Sequence, residues 1–383
     1  MSAPRLDLAV VIEHANLRGG QERVAVHLMR AWADRHDVTV YCYDADETEL
    51  PVNVRVVRVR PHPRSKLLGA ILFPWLAARV IRPSHDVVLA QGGNCLDPDF
   101  SLFHTCHSLR RETMALVAQE RGRRLCVRER LNMVVRRLVF ERLERRTLVR
   151  CPHRCFAVSQ RLADDLARAH GVPRETITAA PNGVDLHTFN PETRRSRAQV
   201  RTELGLGDDA LLALFIGGIW WEKGLHVALR ALRQAQAQWH LLVVGSDDDA
   251  ASFEQMAADL GLARRAHFVG RTDQPAPMYG AADCLVLPSR FEGFPLVSLE
   301  AAGCGLPVLI SEEAHPGELI DEATGFVLPR RPESFAQALD CLAGDASRRE
   351  AMGRAAAERA KGFTWERQAA MLEVAFLEFR SAS

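Results

Sequence analysis

Two glutamates in the C-terminal half have a spacing that suits the binding of a polyhydroxylated ligand. Glu292 and Glu300 lie eight positions apart in FEGFPLVSLE, where a loop runs into a helix that we expect to begin near Pro295. Because Glu300 stands among leucine and alanine, burying it as an unpaired charge would be costly unless a polar group met it. The pair predicts a corner that holds neighbouring hydroxyls of a ribose and a hexose. A glutamate satisfied by local backbone N–H groups is the alternative.

A lysine in a glycine-bounded turn is suited to the diphosphate of such a ligand. The turn GGIWWEKG, residues 217–224, joins an apolar run to a helical pattern and places Lys223 near the N-terminus of that helix. Backbone N–H groups at a helix N-terminus and a lysine ammonium together favour a diphosphate. Three of the 49 lysine and arginine residues are lysines, so a lysine in this turn is unusual for the chain. A solvated surface lysine is the alternative.

A second glycine turn, Gly19-Gly20, follows the first strand-like segment and opens the first helical pattern. Such a turn lets an anion approach the helix N-terminus, although a plain strand-to-helix turn has the same sequence. Neither the G-x-G-x-x-G of a dinucleotide-binding turn nor a G-x-x-x-x-G-K-[ST] phosphate loop occurs in the sequence. Asp44 ends the second strand at the distance of a ribose-binding acid, which keeps an NAD(P)-dependent oxidoreductase open as an alternative.

Two histidines in the N-terminal half are candidates to act on an acceptor hydroxyl. His104 and His107 lie in FHTCHS, directly after a short apolar run. A histidine with a pKa near neutrality can hydrogen-bond a sugar hydroxyl or steady a positively charged reaction centre. A structural histidine at a strand end is the alternative for both.

The nine cysteines are scattered without a repeating spacing, which fits free thiols in a reducing compartment. Cys151 and Cys155 lie close together downstream of His104 and His107 and invite a zinc interpretation. A structural zinc site usually needs a second pair of closely spaced cysteines, and the sequence contains none. We therefore expect no metal there.

Strands and helices alternate in two successive halves, so each half is expected to form a doubly wound α/β domain. The turn cluster PNGVD marks the boundary: residues 1–185 form one domain and 186–363 the other, and a last helix at about 364–383 can pack back on the first. Ligands of such sheets bind beyond the carboxyl ends of the strands, and the cleft between the domains is the expected site. The strand candidates are 6–13, 37–43, 52–59, 86–90, 102–103, 155–158, 211–216, 240–244, 266–269, 283–287, 307–310 and 325–328.

Composition excludes several classes of protein. The 383 residues carry a net charge of +1, which gives no overall field for nucleic acid. The longest apolar stretch, residues 67–78, is shorter than the ~20 residues of a membrane-spanning helix. The start, MSAPRLDLAVVIEH, runs into a predicted strand without the separate charged, apolar and cleavage regions of a signal peptide. We expect a cytoplasmic protein that binds no nucleic acid.

Residues 121–150 hold eleven arginines and three glutamates, with leucine and valine at helical spacing. This pattern predicts a basic amphipathic helix. Such a helix can dock on an anionic leaflet, helped by residues 64–78, and a lipid-linked or anionic acceptor would then follow. An arginine-rich face whose apolar side packs on its own domain is the alternative.

The motif FEGFPLVSLEAAGCGLPV, with its E-x7-E spacing, resembles the signature of the family-4 glycosyltransferases. Gly19-Gly20, PNGVD, EKG and AADCLVLPS resemble further segments of that family, so the resemblance extends along most of the chain. It implies the GT-B fold, with two Rossmann-like doubly wound domains facing across a cleft. It also implies retaining transfer of a sugar from a nucleoside diphosphate sugar. The insert before Cys151 is similar to that of some lipopolysaccharide-core glucosyltransferases.

The resemblance implies a role for each candidate residue. Lys223 would bind the donor diphosphate, Glu300 the nucleotide ribose and Glu292 the hydroxyls of the transferred sugar. His104, ahead of His107, matches the position beside the anomeric carbon and the acceptor. The catalytic set is then His104, Glu292 and Lys223. Further residues implied for donor binding are Gly19, Gly20, Gly218, Gly270, Arg271, Gly293, Phe294, Pro295 and Leu296, with Asn182 and Arg290 as second-rank candidates.

One charge expected around the diphosphate is missing. Many relatives carry an arginine five residues before the lysine, where this chain has Gly218, and Arg271 or Arg290 could take its place. Lys223 and helix N-termini are expected to replace a metal ion, and the acidic run 247–249 is expected to form a solvated turn. We expect neither a cofactor nor a metal requirement.

The expected activity is that of a retaining hexosyltransferase in cell-envelope glycoconjugate synthesis. UDP-sugars are favoured as donors because UDP is the commonest nucleotide of that family, and the acceptor is a hydroxyl compound. A nucleotide-sugar-binding protein without activity is the main alternative.

Overall fold

The computed structural model describes residues 4–151 and 153–382, which form two compact domains. Residues up to 183, together with those from 365 onward, make the N-terminal domain, and residues 184–364 make the C-terminal domain. The boundary therefore lies two residues before the predicted one. Three parts of the predicted features lie outside the described residues. They are residues 1–3, at the start where no signal peptide is expected; Pro152, between Cys151 and Cys155; and Ser383, the last residue of the predicted final helix.

The N-terminal domain is built on a seven-stranded parallel sheet in the order β5-β3-β1-β6-β7-β8-β9, and β2 and β4 form a separate parallel pair. Its central strands are continuous apolar runs, as a parallel sheet covered on both faces requires. The strands are β1 (Asp7–Val11), β2 (His14–Ala15), β3 (Asp37–Cys42), β4 (Asp44–Ala45), β5 (Arg55–Arg58), β6 (Val87–Gln91), β7 (Phe100–Phe103), β8 (Cys155–Ala157) and β9 (Ile177–Ala179).

Helices connect these strands and cover the sheet. The first is amphipathic, and Val24, Leu28 and Trp32 on its inner face are fully buried. The helices are α1 (Gly20–Trp32), α2 (Lys66–Val80), α3 (His107–Glu120), α4 (Val127–Val135), α5 (Glu141–Arg150) and α6 (Gln160–His170), with a π-helical segment, Arg136–Phe140, between α4 and α5.

The helix predicted over 121–150 needs correction at two points. Gly122 adopts the left-handed conformation (φ 61°) just beyond the end of α3, so the next helix begins only at Val127. The backbone then widens into the π-helical segment before α5 begins. Predicted strand 52–59 is also shorter than expected, because ordered pairing begins at Arg55.

The C-terminal domain repeats the pattern on a six-stranded parallel sheet in the order β12-β11-β10-β13-β14-β15. Its strands are β10 (Leu211–Ile216), β11 (Trp239–Val244), β12 (Ala266–Gly270), β13 (Cys284–Leu287), β14 (Val308–Ser311) and β15 (Gly325–Leu328). Its helices are α7 (Arg197–Glu203), α8 (Trp220–Lys223), α9 (Leu225–Gln234), α10 (Ala250–Asp259), α11 (Ala276–Ala281), α12 (Leu296–Gly303), α13 (Pro332–Gly344) and α14 (Ala346–Ala360).

The last helix, α15 (Trp365–Ala382), belongs to the N-terminal domain and packs along α1. The indole N–H of Trp32 donates to the carbonyl oxygen of Ala369 at 3.3 Å, and the rings of His27 and Trp365 stack at 4.6 Å. The fold class is thus two Rossmann-like α/β domains, which confirms the prediction.

Candidate functional site

The turn that carries Lys223 lies at the carboxyl end of β10. Lys223 is the last residue of the one-turn helix α8, and α9 begins two residues later. Between them Gly224 adopts a left-handed conformation (φ 80°), and a Cβ there would lie 2.1 Å from the carbonyl oxygen of Pro288. Only glycine fits such an approach. The turn is therefore fixed against the loop that follows β13.

The structure brings Lys223 and Glu292 together, although 69 positions separate them in the sequence. The Nζ atom of Lys223 contacts Oε1 of Glu292, and their side chains are 24% and 11% exposed. This partial exclusion of water strengthens the electrostatic interaction of either charge with a ligand. A phosphorylated sugar at this corner would meet a cation for its phosphate and a carboxylate for its hydroxyls.

Glu300 lies on α12 and is 3% exposed. Its Oε2 atom accepts a 2.5 Å hydrogen bond from the hydroxyl of Tyr279, which lies on α11. Local backbone N–H groups were the partners expected from the sequence, and Tyr279 was not foreseen. One signal pointed to it: the chain has three tyrosines, and Tyr279 alone lies in the C-terminal half, where a buried hydroxyl needs a partner.

The predicted donor-binding loop, residues 293–295, and Leu296 at the start of α12 are buried, in the segment between the two glutamates. The ring of Phe294 lies 5.9 Å from that of Phe363, and the carbonyl oxygen of Pro295 accepts a 2.6 Å hydrogen bond from the hydroxyl of Ser298. These contacts hold the loop at the N-terminus of α12.

Two further predicted donor residues lie at the same end of the sheet. Gly218 follows β10, and a Cβ on it would lie 3.3 Å from the carbonyl oxygen of Ser246, just beyond β11. The carbonyl oxygen of Gly270, at the end of β12, accepts a 2.7 Å hydrogen bond from the N–H of Gly245. The ends of three neighbouring strands are thus joined.

The two arginines considered as substitutes for the arginine missing at Gly218 differ in their surroundings. Arg271 is exposed, whereas Arg290 is half-buried. The backbone N–H of Arg290 donates to the carbonyl oxygen of Glu222 at 2.8 Å, directly beside Lys223. Of the two, Arg290 is the residue that the fold ties to the lysine turn.

Arg330 is a neighbouring cation that the sequence analysis missed. Its Nε–H donates to the carbonyl oxygen of Pro288 at 2.8 Å, the same carbonyl group that Gly224 approaches. Burial lowers the pKa of Arg330 to about 10, which leaves it charged at neutral pH. Because Arg330 follows β15, far along the chain, no local motif pointed to it.

The acidic run 247–249 is not the solvated turn that the sequence suggested. The carboxylate of Asp247 accepts the backbone N–H of Trp220 at 2.7 Å and that of Asp249 at 2.8 Å. Asp247 and Asp249 are half-buried, and only Asp248 of the three is exposed. Asp247 therefore helps to fix the start of α8.

In the N-terminal domain, Gly19 precedes α1 and Gly20 is its first residue. The carboxylate of Glu22, in the first turn, lies against Gly19 and complements the helix dipole itself. An anionic ligand at this helix end would require the Glu22 side chain to turn away. Asp44, the candidate ribose acid, is exposed and pairs with Arg58 at 3.0 Å, which weakens the oxidoreductase alternative.

A cavity of about 440 Å³ lies in the N-terminal domain and contains both candidate histidines. Its lining includes residues that follow the carboxyl ends of β1, β6 and β7 and residues of α2, α4 and the π-helical segment. Ligands of parallel sheets bind at such ends. The lining includes the side chains of Glu13, Gln21, Lys66, Gln91, His104, Thr105, His107, Arg128, Arg136, Phe140 and Glu144.

His104 does not have the near-neutral pKa that the sequence analysis assumed. Its Nε2 atom hydrogen-bonds Oε1 of Gln91 at 2.7 Å. Burial lowers the pKa of His104 to about 3, so the ring is neutral at physiological pH. His104 can exchange hydrogen bonds with a hydroxyl, but it does not supply positive charge.

His107 is the first residue of α3 and is held on three sides. Its backbone N–H donates to both carboxylate oxygens of Glu144, at 3.1 and 3.0 Å. Its Nδ1 atom lies 2.9 Å from Nη1 of Arg136, and its ring stacks on Phe140 at 5.0 Å. Burial also lowers the pKa of His107. The structure thus supports a positioning part for His107.

Asn182, a second-rank candidate, is buried beside α15, where Gln368 Nε2 donates to its Oδ1 atom at 3.4 Å. It does not line the cavity that contains His104.

One buried cluster in the described residues combines ligand types that can hold a metal: Cys106, Glu144 and His170, whose ligand atoms lie within 4.8 Å of one another. His170 Nε2 lies 3.1 Å from Glu144. Burial alone lowers the pKa of His170, but its bonds to Cys106 and Glu144 raise it to about 9. His170 and Glu144 therefore form a buried ion pair. Cys151 and Cys155, by contrast, donate to carbonyl oxygens at 3.3 Å.

We expect Glu144→Gln to lower the free energy of unfolding by about 3–5 kcal/mol at pH 6, because it leaves His170 charged and buried without a counterion. The raised pKa of His170 means that the ion pair contributes fully below pH ~6.5 and is lost as pH rises through about 9. Urea unfolding at pH 6, 7.5 and 9.5 measures this. The exposed Glu112→Gln serves as control, and an equal deficit of the Glu144 variant at all three pH values would contradict the assignment.

Two family models match the chain, one for each half. Residues 18–188 match the model described as Glycosyltransferase Family 4, and residues 196–359 match Glycosyl transferases group 1. The second match contains Lys223, Glu292 and Glu300.

Curated relatives match about half of the chain. The D-inositol 3-phosphate glycosyltransferase of Paenarthrobacter aurescens is 34% identical over 220 residues, which are 55% of this chain and 53% of that protein. The Streptomyces avermitilis protein of the same name is 34% identical over 57% of this chain and 50% of that protein. The chain thus spans about half the length of the curated relatives it matches.

Solved structures share the fold over nearly the whole chain. WaaG, a glycosyltransferase involved in lipopolysaccharide biosynthesis, has a TM-score of 0.76 at 20% identity, covering 95% of this chain and 98% of that one. Anabaena HepE, solved with UDP and glucose, has a TM-score of 0.72 at 18% identity, covering 99% and 100%. These likenesses show the fold.

Proposed function

We propose that this chain, a member of the glycosyltransferases with the GT-B fold, is a retaining enzyme that moves a sugar from a UDP-sugar to a hydroxyl acceptor. The observation that carries this proposal is the contact between Lys223 and Glu292, which stands eight residues before the buried Glu300. It combines a cation for a diphosphate with two carboxylates for hydroxyls, at the end of a parallel sheet where ligands bind.

The donor would lie along the carboxyl ends of the C-terminal strands. Lys223 would bind its diphosphate, with Arg290 and Arg330 as neighbouring cations. Glu300, oriented by Tyr279, would bind the ribose, and the base would lie near Gly270. The UDP in the HepE structure supports the choice of nucleotide.

In the proposed reaction the leaving diphosphate takes the proton of the acceptor hydroxyl on the face from which it departs, so the anomeric configuration is kept. The protein then acts by positioning and by stabilising charge. Because the cations of this corner would neutralise the leaving group, we propose that no metal is required. The N-terminal cavity would bind the acceptor, in cell-envelope glycoconjugate synthesis.

We expect UDP-glucose to raise the unfolding free energy by about 2.7 kcal/mol at 100 times its Kd, more than GDP- or ADP-glucose at equal concentration. Thermal unfolding with and without EDTA measures this, and the shift should survive the chelator.

Release of UDP in the presence of chelator separates an enzyme from a binding protein. Loss of both signals on chelation, with rescue by manganese alone, would contradict metal independence. A shift caused by NAD(P) alone would overturn the proposed function.

We also propose that the protein binds the cytoplasmic face of a membrane as a peripheral protein. None of the described helices has both the length and the apolar character needed to cross a bilayer. Leu131, Val134 and Leu138, around the π-helical segment, are about half exposed, as are Leu68 and Trp75 on α2. Leu143 and Leu148, two other apolar residues of 121–150, are buried in the domain. The second half of the segment therefore fits the alternative in which its apolar side packs on its own domain.

We expect binding to vesicles that contain anionic phospholipid at low salt, because each arginine near such a surface contributes about 1 kcal/mol. Binding should weaken as salt rises, since the attraction is screened. Co-sedimentation measures it. Leu131→Ser with Leu138→Ser should reduce binding, and the exposed Val374→Ser on α15 is the control. Indifference to anionic vesicles at low ionic strength would contradict the membrane proposal.

A further inference from the structure

A cavity of about 780 Å³ lies in the C-terminal domain, at the amino ends of its strands. Its lining includes Asp283, which directly precedes β13, and residues 303–305, which precede β14. Lys223 and Glu292, by contrast, follow the carboxyl ends of β10 and β13. A ligand in this cavity would therefore lie at the opposite end of the sheet from the predicted donor residues.

Close packing fixes the walls of this cavity. A Cβ on Gly353, in α14, would lie 2.1 Å from the carbonyl oxygen of Gly305, just beyond α12, so the two helices meet at a distance that only glycine permits. The amide of Asn190 donates to the carbonyl oxygens of Leu186 and His187 at 3.1 and 2.8 Å, which fixes the segment before α7. The cavity is thus formed before any ligand binds.

The lining carries more positive than negative charge, with five basic and three acidic side chains. Each acidic side chain has a basic partner in the lining. The three pairs are Asp283 with Arg197 at 2.8 Å, Glu350 with Arg354 at 3.8 Å and Glu358 with Lys361 at 2.5 Å. Arg194 and Arg349 remain. Arg349 donates to the neutral carbonyl oxygen of Leu342 at 2.5 Å, and the guanidinium of Arg194 has no hydrogen bond or ion pair within the part of the chain that the structure describes.

The positive charge around Arg194 is not compensated. Partial burial lowers the pKa of Arg194, and the charges of Arg197 and Arg349 lower it further. Asp283 and Glu350 act in the opposite direction without offsetting them. The three arginines are therefore near enough to repel one another. The carbonyl end of α12 supplies about half a negative charge, less than the two positive charges that lack an acidic partner. The cluster therefore attracts an anion.

We propose that this cavity binds a phosphorylated small molecule, whose phosphate is held by Arg194 and Arg349. Guanidinium groups bind phosphate through paired N–H donors, and a phosphate monoester carries a charge of about −1.5 to −2, which matches the two positive charges. The volume leaves room for an organic part, and Leu186, Pro191 and Ala357 give the lining apolar surface. The ligand meets none of the residues assigned to donor or acceptor, so this site is additional to those of the proposed reaction.

The test is isothermal titration of the full chain with inorganic phosphate, AMP and adenosine, with UDP present at a concentration that saturates the donor residues. Phosphate and AMP should show saturable binding. Adenosine should bind at least about tenfold more weakly, because it lacks the charged group. Arg194→Gln and Arg349→Gln should each weaken the binding of phosphate and AMP about tenfold.

Neighbouring exposed arginines provide matched controls. Arg195→Gln and Arg348→Gln remove the same charge outside the lining, and both should leave phosphate binding unchanged. Arg349→Gln also removes the hydrogen bond to Leu342, whereas the guanidinium of Arg194 has no hydrogen bond to lose. Arg194→Gln should therefore fold normally, and thermal unfolding without ligand checks this.

A loss of phosphate binding that is confined to the Arg194 and Arg349 variants, with UDP present, supports the site. Absence of saturable phosphate binding overturns it. Displacement of phosphate by UDP also overturns it, because the phosphate would then lie at the donor residues. Equal phosphate binding in Arg194→Gln and Arg195→Gln would place the ion elsewhere, and equal affinity for AMP and adenosine would show that the phosphate is not the group recognised.

Discussion

Replacing Lys223 with alanine is expected to lower kcat/KM for the donor by about 10²- to 10³-fold, the cost of removing one preorganised charge from a departing oxyanion. The side chain of Lys223 is 24% exposed and contacts Glu292. It stands at the end of a turn in which only glycine fits at position 224. Its loss would leave the diphosphate without its nearest cation in the transition state. Initial rates of UDP release at varied UDP-glucose concentration measure the effect.

Two variants sharpen this prediction. Lys223→Arg should not fully restore the rate, because a planar guanidinium does not fit the point site of an ammonium whose methylene chain lies close to Gly217. Glu300→Gln should instead raise KM for the donor, since its expected contact with ribose is made in the ground state too.

Lys361→Ala is the control for the lysine substitution. Lys361 lies in the same domain, is 64% exposed and pairs with Glu358 on the surface. Equal kcat/KM in Lys223→Ala, Lys361→Ala and the unaltered protein would remove Lys223 from the donor site.

Local sequence determined most of the fold. Buried parallel strands are short apolar runs between turn residues, so each predicted strand has a counterpart, and 211–216 and 325–328 have the observed limits. The strand Ile177–Ala179 was missed because its three residues include the polar Thr178 and give no continuous apolar run. The break between α3 and α4 was missed because the arginine-rich pattern continues through Gly122.

The sequence could identify the site residues that lie in motifs. Glu292 and Lys223 stand in turns bounded by glycine, and Glu300 stands on the helix that follows Pro295 in the same motif as Glu292. Tyr279 and Arg330 stand in no such turn, and only the folding of distant segments brings them to Glu300 and Pro288. The roles of all five stay predictions.

The pKa of His104 shows a further limit of sequence reasoning. Residue type alone gives a histidine a pKa near neutrality. Removal from water, which depends on the packing of β6, β7 and the helices around the cavity, lowers the pKa of this one to about 3. The Glu144–His170 pair shows the opposite case, because a buried counterion keeps a histidine charged. The sequence does not show which histidine meets which environment.

Replacing His104 with alanine is expected to reduce sugar transfer about 10²-fold or more, if the neutral ring hydrogen-bonds the acceptor hydroxyl at the reacting centre. Donor binding should change little, because the predicted donor residues around Lys223 lie in the other domain. Since the pKa of His104 is about 3, the loss should be the same at pH 6 and at pH 8. His104→Asn, which keeps a neutral hydrogen-bonding group, should retain more transfer than His104→Ala.

Transfer rates and UDP affinity, measured side by side in both His104 variants and in His107→Ala, test this expectation. Replacing His107 removes the ring that stacks on Phe140 and accepts from Arg136, so its effect should appear in stability as well as in rate. Full activity of His104→Ala would leave this histidine a structural residue that only bonds Gln91. A loss of transfer that grows between pH 8 and pH 6 would instead mean that the ring is charged in the working enzyme, against the burial that the fold imposes.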